Sequence, residues 1–134
     1  MPARPQVPQA LVSRLGAICT GLPEVVEQQA WTGRRWSVRG KNFAHVVMID
    51  AGWPPAYAKA AGTDGPACVL TFRLPAHALD SPRFMRAPYF RPPWFANIAG
   101  LVLGDRSDWD DIELLLAGSY RVLAPKTLLA KAGL

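Results

Sequence analysis

The chain is poor in the residues that most often carry chemistry. Its 134 residues include two histidines, His45 and His77, and two cysteines, Cys19 and Cys68. Neither pair has metal-ligand spacing, and there is no phosphate-binding glycine loop, dinucleotide fingerprint or zinc motif. No apolar run reaches the roughly 18–20 residues of a membrane span. The first fifteen residues lack the apolar core of a secretory signal. These absences set the expectations: no catalytic residue, no metal and no cofactor, in a soluble cytoplasmic, bacterial-type protein that does not engage a membrane. The two cysteines read as separate buried thiols.

Acidic residues are also scarce, ten against fifteen basic ones. Eleven of the positive residues are arginine, and eleven of the fifteen lie in the first hundred positions, against five acids. Arginine suits planar and phosphate recognition, and a basic front half points to nucleic acid. The competing reading is a solvated basic surface of the kind GC-rich coding favours.

Half of the residues are apolar. A chain of this length with that fraction forms one domain, 1–134, with a core of its own. The thirteen prolines are spread as punctuation, except over residues 1–7, which read as a flexible arm.

Period 3.6 predicts a helix over 7–20, with Leu11, Leu15 and Ile18 on its stripe and Gly21 at its stop. Strands follow over 25–31, 35–39 and 42–49. Gly40-Lys41 reads as a two-residue type II′ loop. That loop pairs Arg39 with Asn42, Val38 with Phe43, Ser37 with Ala44 and Trp36 with His45. The core face then holds Trp36, Val38, Phe43, His45, Val47 and Ile49, so His45 reads as a core-edge histidine against Trp36. Residues 51–65 form an insertion loop in which 56–61 can make a helical turn or two.

A strand over 67–74 points Cys68, Leu70, Phe72 and Leu74 inward and Arg73 outward. Pro75 opens a short helix to 80. Residues 83–91 read as an extended basic and aromatic segment, and a further strand spans 94–101. Ser107 or Asp108 caps a last long helix, with Asp110 or Asp111 closing the box. Its stripe is Trp109, Ile112, Leu116, Tyr120 and Leu123, with Ser119 and Arg121 solvated. A final short helix covers 126–131. Hairpins with helices at the ends predict an α+β, two-layer domain: an antiparallel sheet with helices packed on one face.

Two blocks carry a family resemblance. The hairpin from Trp36 to Ala44 contains Arg39-Gly40-Lys41 and Phe43-Ala44. The ending from Trp109 to Lys126 contains Trp109-Asp110 and Ser119-Tyr120-Arg121, then Ala124-Pro125-Lys126. Both resemble the MmcQ/YjbR-like family. The resemblance implies a fold similar to type III secretion chaperones, with hairpins forming a double wing, and a DNA-binding role. Arg73 stands where the family pattern has lysine, and the 51–65 insertion is longer than the pattern.

The leading functional expectation is DNA binding through a basic hairpin face. Its candidate residues are Arg34, Arg35, Arg39, Lys41, Arg73, Arg86, Arg91 and Lys126. The alternative is a protein-interaction or small-ligand module, a homodimer included, with Trp53-Pro54-Pro55 and Pro92-Pro93-Trp94-Phe95 as contact segments. Enzymatic activity has the least support.

Overall fold

In the computed structural model, which describes residues 5–134, apolar periodicity becomes twelve elements. In chain order these are α1 (Gln9–Thr20), β1 (Val25–Gln29), β2 (Arg34–Val38), β3 (Lys41–Ile49), α2 (Pro55–Ala61), β4 (Ala67–Arg73) and α3 (Ala76–Leu79). A 3-10 turn (Pro82–Met85) follows, then β5 (Tyr89–Phe90), β6 (Ile98–Leu103), α4 (Trp109–Leu123) and α5 (Lys126–Ala132). Residues 1–4 of the expected arm lie outside the described residues. Within the rest of that arm, Val7 packs against the core.

The six strands form one sheet in the order β1-β2-β3-β4-β6-β5, antiparallel at every pairing. The architecture is two-layer α+β, as expected. Helices α1 and α4 cover one face, and the main core lies beneath them. Trp36, Phe43, Phe72, Leu70, Leu15, Ile112, Leu116 and Tyr120 are all buried there. Each such side chain contributes about 1.5–3 kcal/mol relative to its exposed state. Helix α1 approaches closely because Gly16 leaves room, where a Cβ would sit 2.7 Å from Glu27 Oε1. Arg14 lies over the Trp109 ring at 4.3 Å and ties α1 to α4.

The β2–β3 hairpin departs from the expected register. The turn is Arg39-Gly40, with φ of 50° and 78°, the all-positive pattern of a type I′ turn. Val38 therefore pairs with Lys41 and Ser37 with Asn42, but Trp36 pairs with Ala44. Phe43 is the extra residue of a β-bulge. A bulge lets two successive side chains take one face and then reverses the alternation. Phe43 and Ala44 both enter the main core, followed by Val46 and Met48. His45, Val47 and Ile49 turn to the opposite face, so the expected grouping of these three with Trp36 is corrected.

That opposite face carries a second, smaller core. Val47, Ile49, Val69 and Phe90 pack with Ala58 of α2, which lies in the 51–65 insertion. The expected turns at 56–61 are thus a helix that closes part of the open face. Phe90 lies flat over Gly100, where a Cβ would sit 2.1 Å from the ring. Three further readings change. Residues 83–91 form the 3-10 turn and a two-residue edge strand, β5, consistent with Pro88 at its border. The sixth strand begins at Ile98, and Trp94 belongs to the preceding loop. Asp111 donates its N–H to the Asp108 cap at 3.1 Å, while its carboxylate accepts from Arg83 and Tyr89.

Ser119 is buried rather than solvated. Its Oγ accepts from the Arg73 N–H at 2.7 Å and donates to the Phe43 carbonyl. The last paired residues of this end of the ladder are Ala44 and Phe72, so Phe43 and Arg73 are the next in line. The serine hydroxyl bridges them where a direct bond would otherwise run. Tyr120 beside it donates to Pro23 O at 2.8 Å and meets Phe43 edge-on at 5.6 Å. Replacing Ser119 with alanine leaves a buried donor and acceptor unmatched, which costs about 1–3 kcal/mol. Urea unfolding of Ser119→Ala is therefore expected to show a loss in that range. A loss below about 0.5 kcal/mol contradicts the bridging role.

Candidate ligand cleft on the open sheet face

One row of paired residues crosses the whole sheet: Gln28, Arg35, His45, Thr71, Gly100 and Phe90. Around its centre lies a cleft of about 190 Å³. Its floor is β3 and β4 from Asn42 to His45 and from Thr71 to Arg73. Tyr57 of α2 and, from the loop before β6 and its first residue, Trp94, Phe95 and Ile98 complete its lining.

The polar geometry at His45 is fully specified. A carbonyl only accepts, so the 2.8 Å contact of Nε2 with Thr32 O places the ring proton on Nε2. Nδ1 then accepts from Tyr57 Oη at 3.0 Å. Burial lowers the histidine pKa, aided by the nearby Arg35 charge, with the Thr32 bond acting the other way. Burial also pushes the Tyr57 phenol up to about 12, which keeps it a donor. The Tyr57 ring meets His45 edge-on at 6.0 Å and Trp94 at 4.8 Å. Both ring nitrogens of His45 are engaged, so the histidine orients Tyr57 and leaves no lone pair free to take a proton.

At the other end, Arg73 is held in a fixed pose. Its Nε donates to Asn42 O at 3.1 Å and one Nη donates to Asn97 Oδ1 at 3.1 Å. The guanidinium lies 5.5 Å from the centre of the Phe95 ring. Two of its five N–H groups are used, and three remain for a ligand.

The eight cations expected to bind nucleic acid do not form one surface. Arg35 and Arg73 share the open face, and Lys41 lies exposed at the hairpin end beside Asn42. Arg35 Nε also reaches Gln28 Oε1 at 3.3 Å. Arg34, one residue before Arg35, alternates to the helix-covered face and pairs with Glu27 at 3.6 Å. Arg39 binds both oxygens of Glu24, at 2.8 and 3.0 Å, and holds that carboxyl below its ordinary range. Arg91 donates to Leu79 O and Ala96 O and so fastens a loop. Arg86 is exposed next to β5, at the sheet edge opposite β1. Lys126 is exposed at the start of α5.

Tyr57, Thr71 and Trp94 were not among the expected site residues. Trp94 had a signal in the Pro92-Pro93-Trp94-Phe95 segment. Tyr57 had none, because an alanine-rich insertion does not announce which face of the sheet it covers.

No family model matches the chain, and no curated protein matches it. Among solved structures it is similar to a protein from Pseudomonas syringae, whose crystal structure was determined by the Northeast Structural Genomics Consortium. The similarity has a TM-score of 0.64 at 12% identity, over 88% of this chain and 99% of that one. At that identity the likeness concerns the fold alone. Among the described residues no helix is long and apolar enough to cross a membrane, and no group of three or more His, Cys, Asp or Glu could hold a metal ion. Both cysteines are free and buried, and burial pushes the Cys68 thiol up to about 12.

The His45 geometry has a pH consequence. The folded pKa lies below the ordinary 6.5, so the unfolded chain takes up the proton more readily. The resulting stability is fully present above about pH 6.5 and is lost as pH falls through the folded value. Thermal unfolding is expected to show Tm falling between pH 7 and pH 5, with a shallower slope for His45→Gln. Equal slopes in the two proteins contradict this account.

Proposed function

We propose that this domain is a small-ligand-binding module whose site is the cleft between β3, β4, α2 and the loop carrying Trp94. The observation that carries this reading is the fixed polar geometry at its two ends. Tyr57 is oriented by His45, Arg73 is oriented by two oxygens, and aromatic rings lie between them. Binding sites are concave and largely apolar, with a few convergent polar groups, and perturbed titratable groups mark them. The fixed pose also lowers the ordering cost of binding. The reading includes no chemical step, since His45 has no free nitrogen.

A second reading is nucleic-acid binding, as the resemblance to the MmcQ/YjbR-like family implies. The formal charge of +5, with Arg35 and Arg73 on the open face and Lys41 at the hairpin end, favours it. In this reading single strands suit the open face better than a duplex. The β2–β3 hairpin is flanked by β1 and β4, so it is not a free ribbon that can enter a groove. Trp94 and Phe95 offer stacking surfaces of the kind single strands use.

Both readings are separable in one set of titrations followed by 1H–15N NMR. A library of small fragments is expected to shift the amides of His45, Tyr57, Thr71 and Arg73 and the Trp94 indole. Fragments that shift only residues elsewhere, or none at all, sink the ligand reading. Fluorescence anisotropy with labelled single and double strands at low salt tests the second. Binding that weakens in Arg35→Ala and Lys41→Ala, with a log-log salt slope of roughly −2 to −3 for about three neutralised phosphates, establishes it. Absence of binding at low salt removes it.

A further inference from the structure

The two ends of the cleft ask for different chemistry, and together they describe one kind of molecule. We infer that the ligand is a small aromatic carboxylate, its ring between Tyr57, Trp94 and Phe95 and its carboxylate on Arg73. This inference rests on the ligand-binding reading above and narrows it to a chemical class.

The charge end is the more restrictive. Arg73 donates through Nε to Asn42 O and through one Nη to Asn97 Oδ1. These two bonds fix the guanidinium plane. They leave the second hydrogen of that Nη and both hydrogens of the other, a fork that matches a carboxylate in its own plane. No acidic side chain within 4 Å competes for it among the described residues. None of the residues lining the cleft is acidic. An anion placed there meets a positive charge with no repelling partner, whereas a cationic ligand meets only repulsion.

The ring end follows from shape. Tyr57 and Trp94 are in edge contact at 4.8 Å and form a corner, and the Phe95 ring lies 5.5 Å from the Arg73 guanidinium. Aromatic rings recognise flat partners edge-on or offset, each contact adding to the area it buries. Phe95 is 58% exposed, which suits a side chain whose ring is covered only when a partner arrives. Thr71 adds a hydroxyl to the floor, and its bond to His45 O is long at 3.4 Å. The Tyr57 oxygen donates to His45 and retains lone pairs that can accept from a ring substituent.

Size points to a small ligand. A cleft of about 190 Å³ is below the roughly 300–1,000 Å³ of sites for drug-sized molecules. That volume suits one ring with a short acidic side chain.

The test is a matched series followed by 1H–15N NMR on the full chain: benzoate, the neutral isostere benzamide, and the cation benzamidine. Benzoate is expected to shift Thr71, the Arg73 side-chain Nε–H and the Trp94 indole N–H in a saturable way. Benzamide is expected to bind at least tenfold more weakly, and benzamidine not at all. Arg73→Lys keeps the charge but not the fork and is expected to weaken benzoate about tenfold. Trp94→Ala is expected to weaken benzoate and benzamide alike. Equal binding of all three compounds in the cleft overturns the carboxylate inference while leaving the ligand reading intact. If other fragments bind the cleft and benzoate does not, the same conclusion follows. If no compound of any class reaches the cleft, both fall. Should Arg73→Lys not fold, the preference among the three compounds in the unaltered protein decides alone.

Discussion

Everything on the open face depends on one extra residue in β3, and on the serine that secures it. Because Phe43 is inserted between Asn42 and Ala44, the alternation of β3 reverses just before His45. Were the same sequence to alternate regularly through Phe43, then His45, Val47 and Ile49 would lie on the Trp36 side, and the open face would have Ala44, Val46 and Met48 in their place. The bulge weakens the ladder where it occurs, since Phe43 and Arg73 do not pair directly. Ser119 repairs this from a different element: its hydroxyl bonds both strands and draws α4 onto the sheet. The same contact fixes the backbone of Arg73, whose side chain forms the charged end of the cleft. One buried hydroxyl thus links helix packing, strand phase and the position of the most informative cation.

The arginines illustrate how formal charge and usable charge diverge. A net +5 suggests a basic surface, but several of these groups are engaged within the protein. Arg39 fixes a strained turn with Glu24, Arg34 pairs with Glu27, Arg83 pairs with Asp111, and Arg91 ties loop carbonyls together. Each exposed pair contributes little to stability on its own. Their effect is geometric, because a guanidinium with several donors holds backbone segments at fixed distances. What remains is a small set: Arg35 and Arg73 on the open face beside aromatic side chains, and Lys41 exposed at the hairpin end.

The elements were largely legible in the sequence. The α4 stripe, the Asp108 cap, the β4 alternation and the stop at Gly21 follow from local chemistry, and each lies where the pattern puts it. The phase of β3 was not legible, for a physical reason. From Phe43 to Ile49 the strand is apolar at all but one position, because it is buried on both faces. Such a run carries no alternation from which to read a bulge. The turn was shifted for a related reason: Arg39 takes a positive φ that arginine rarely adopts, and the Glu24 bond that supports it comes from fifteen residues away. Tyr57 and Ser119 were missed because their roles are set by distant contacts, with His45 and with Phe43 and Arg73. The sequence pattern puts Trp94 in a strand, but β6 starts only at Ile98, and Trp94 lies in the loop that follows Pro92-Pro93.

The open face is organised by His45 facing Tyr57. Long-range 1H–15N correlation of the imidazole at pH 7.5 measures this directly. The expected result is a neutral ring protonated at Nε2, with Nδ1 at the shift of a hydrogen-bond acceptor and nuclear Overhauser contacts to the Tyr57 ring. A ring protonated at Nδ1, or His45 contacts to Trp36 in place of Tyr57, would contradict it.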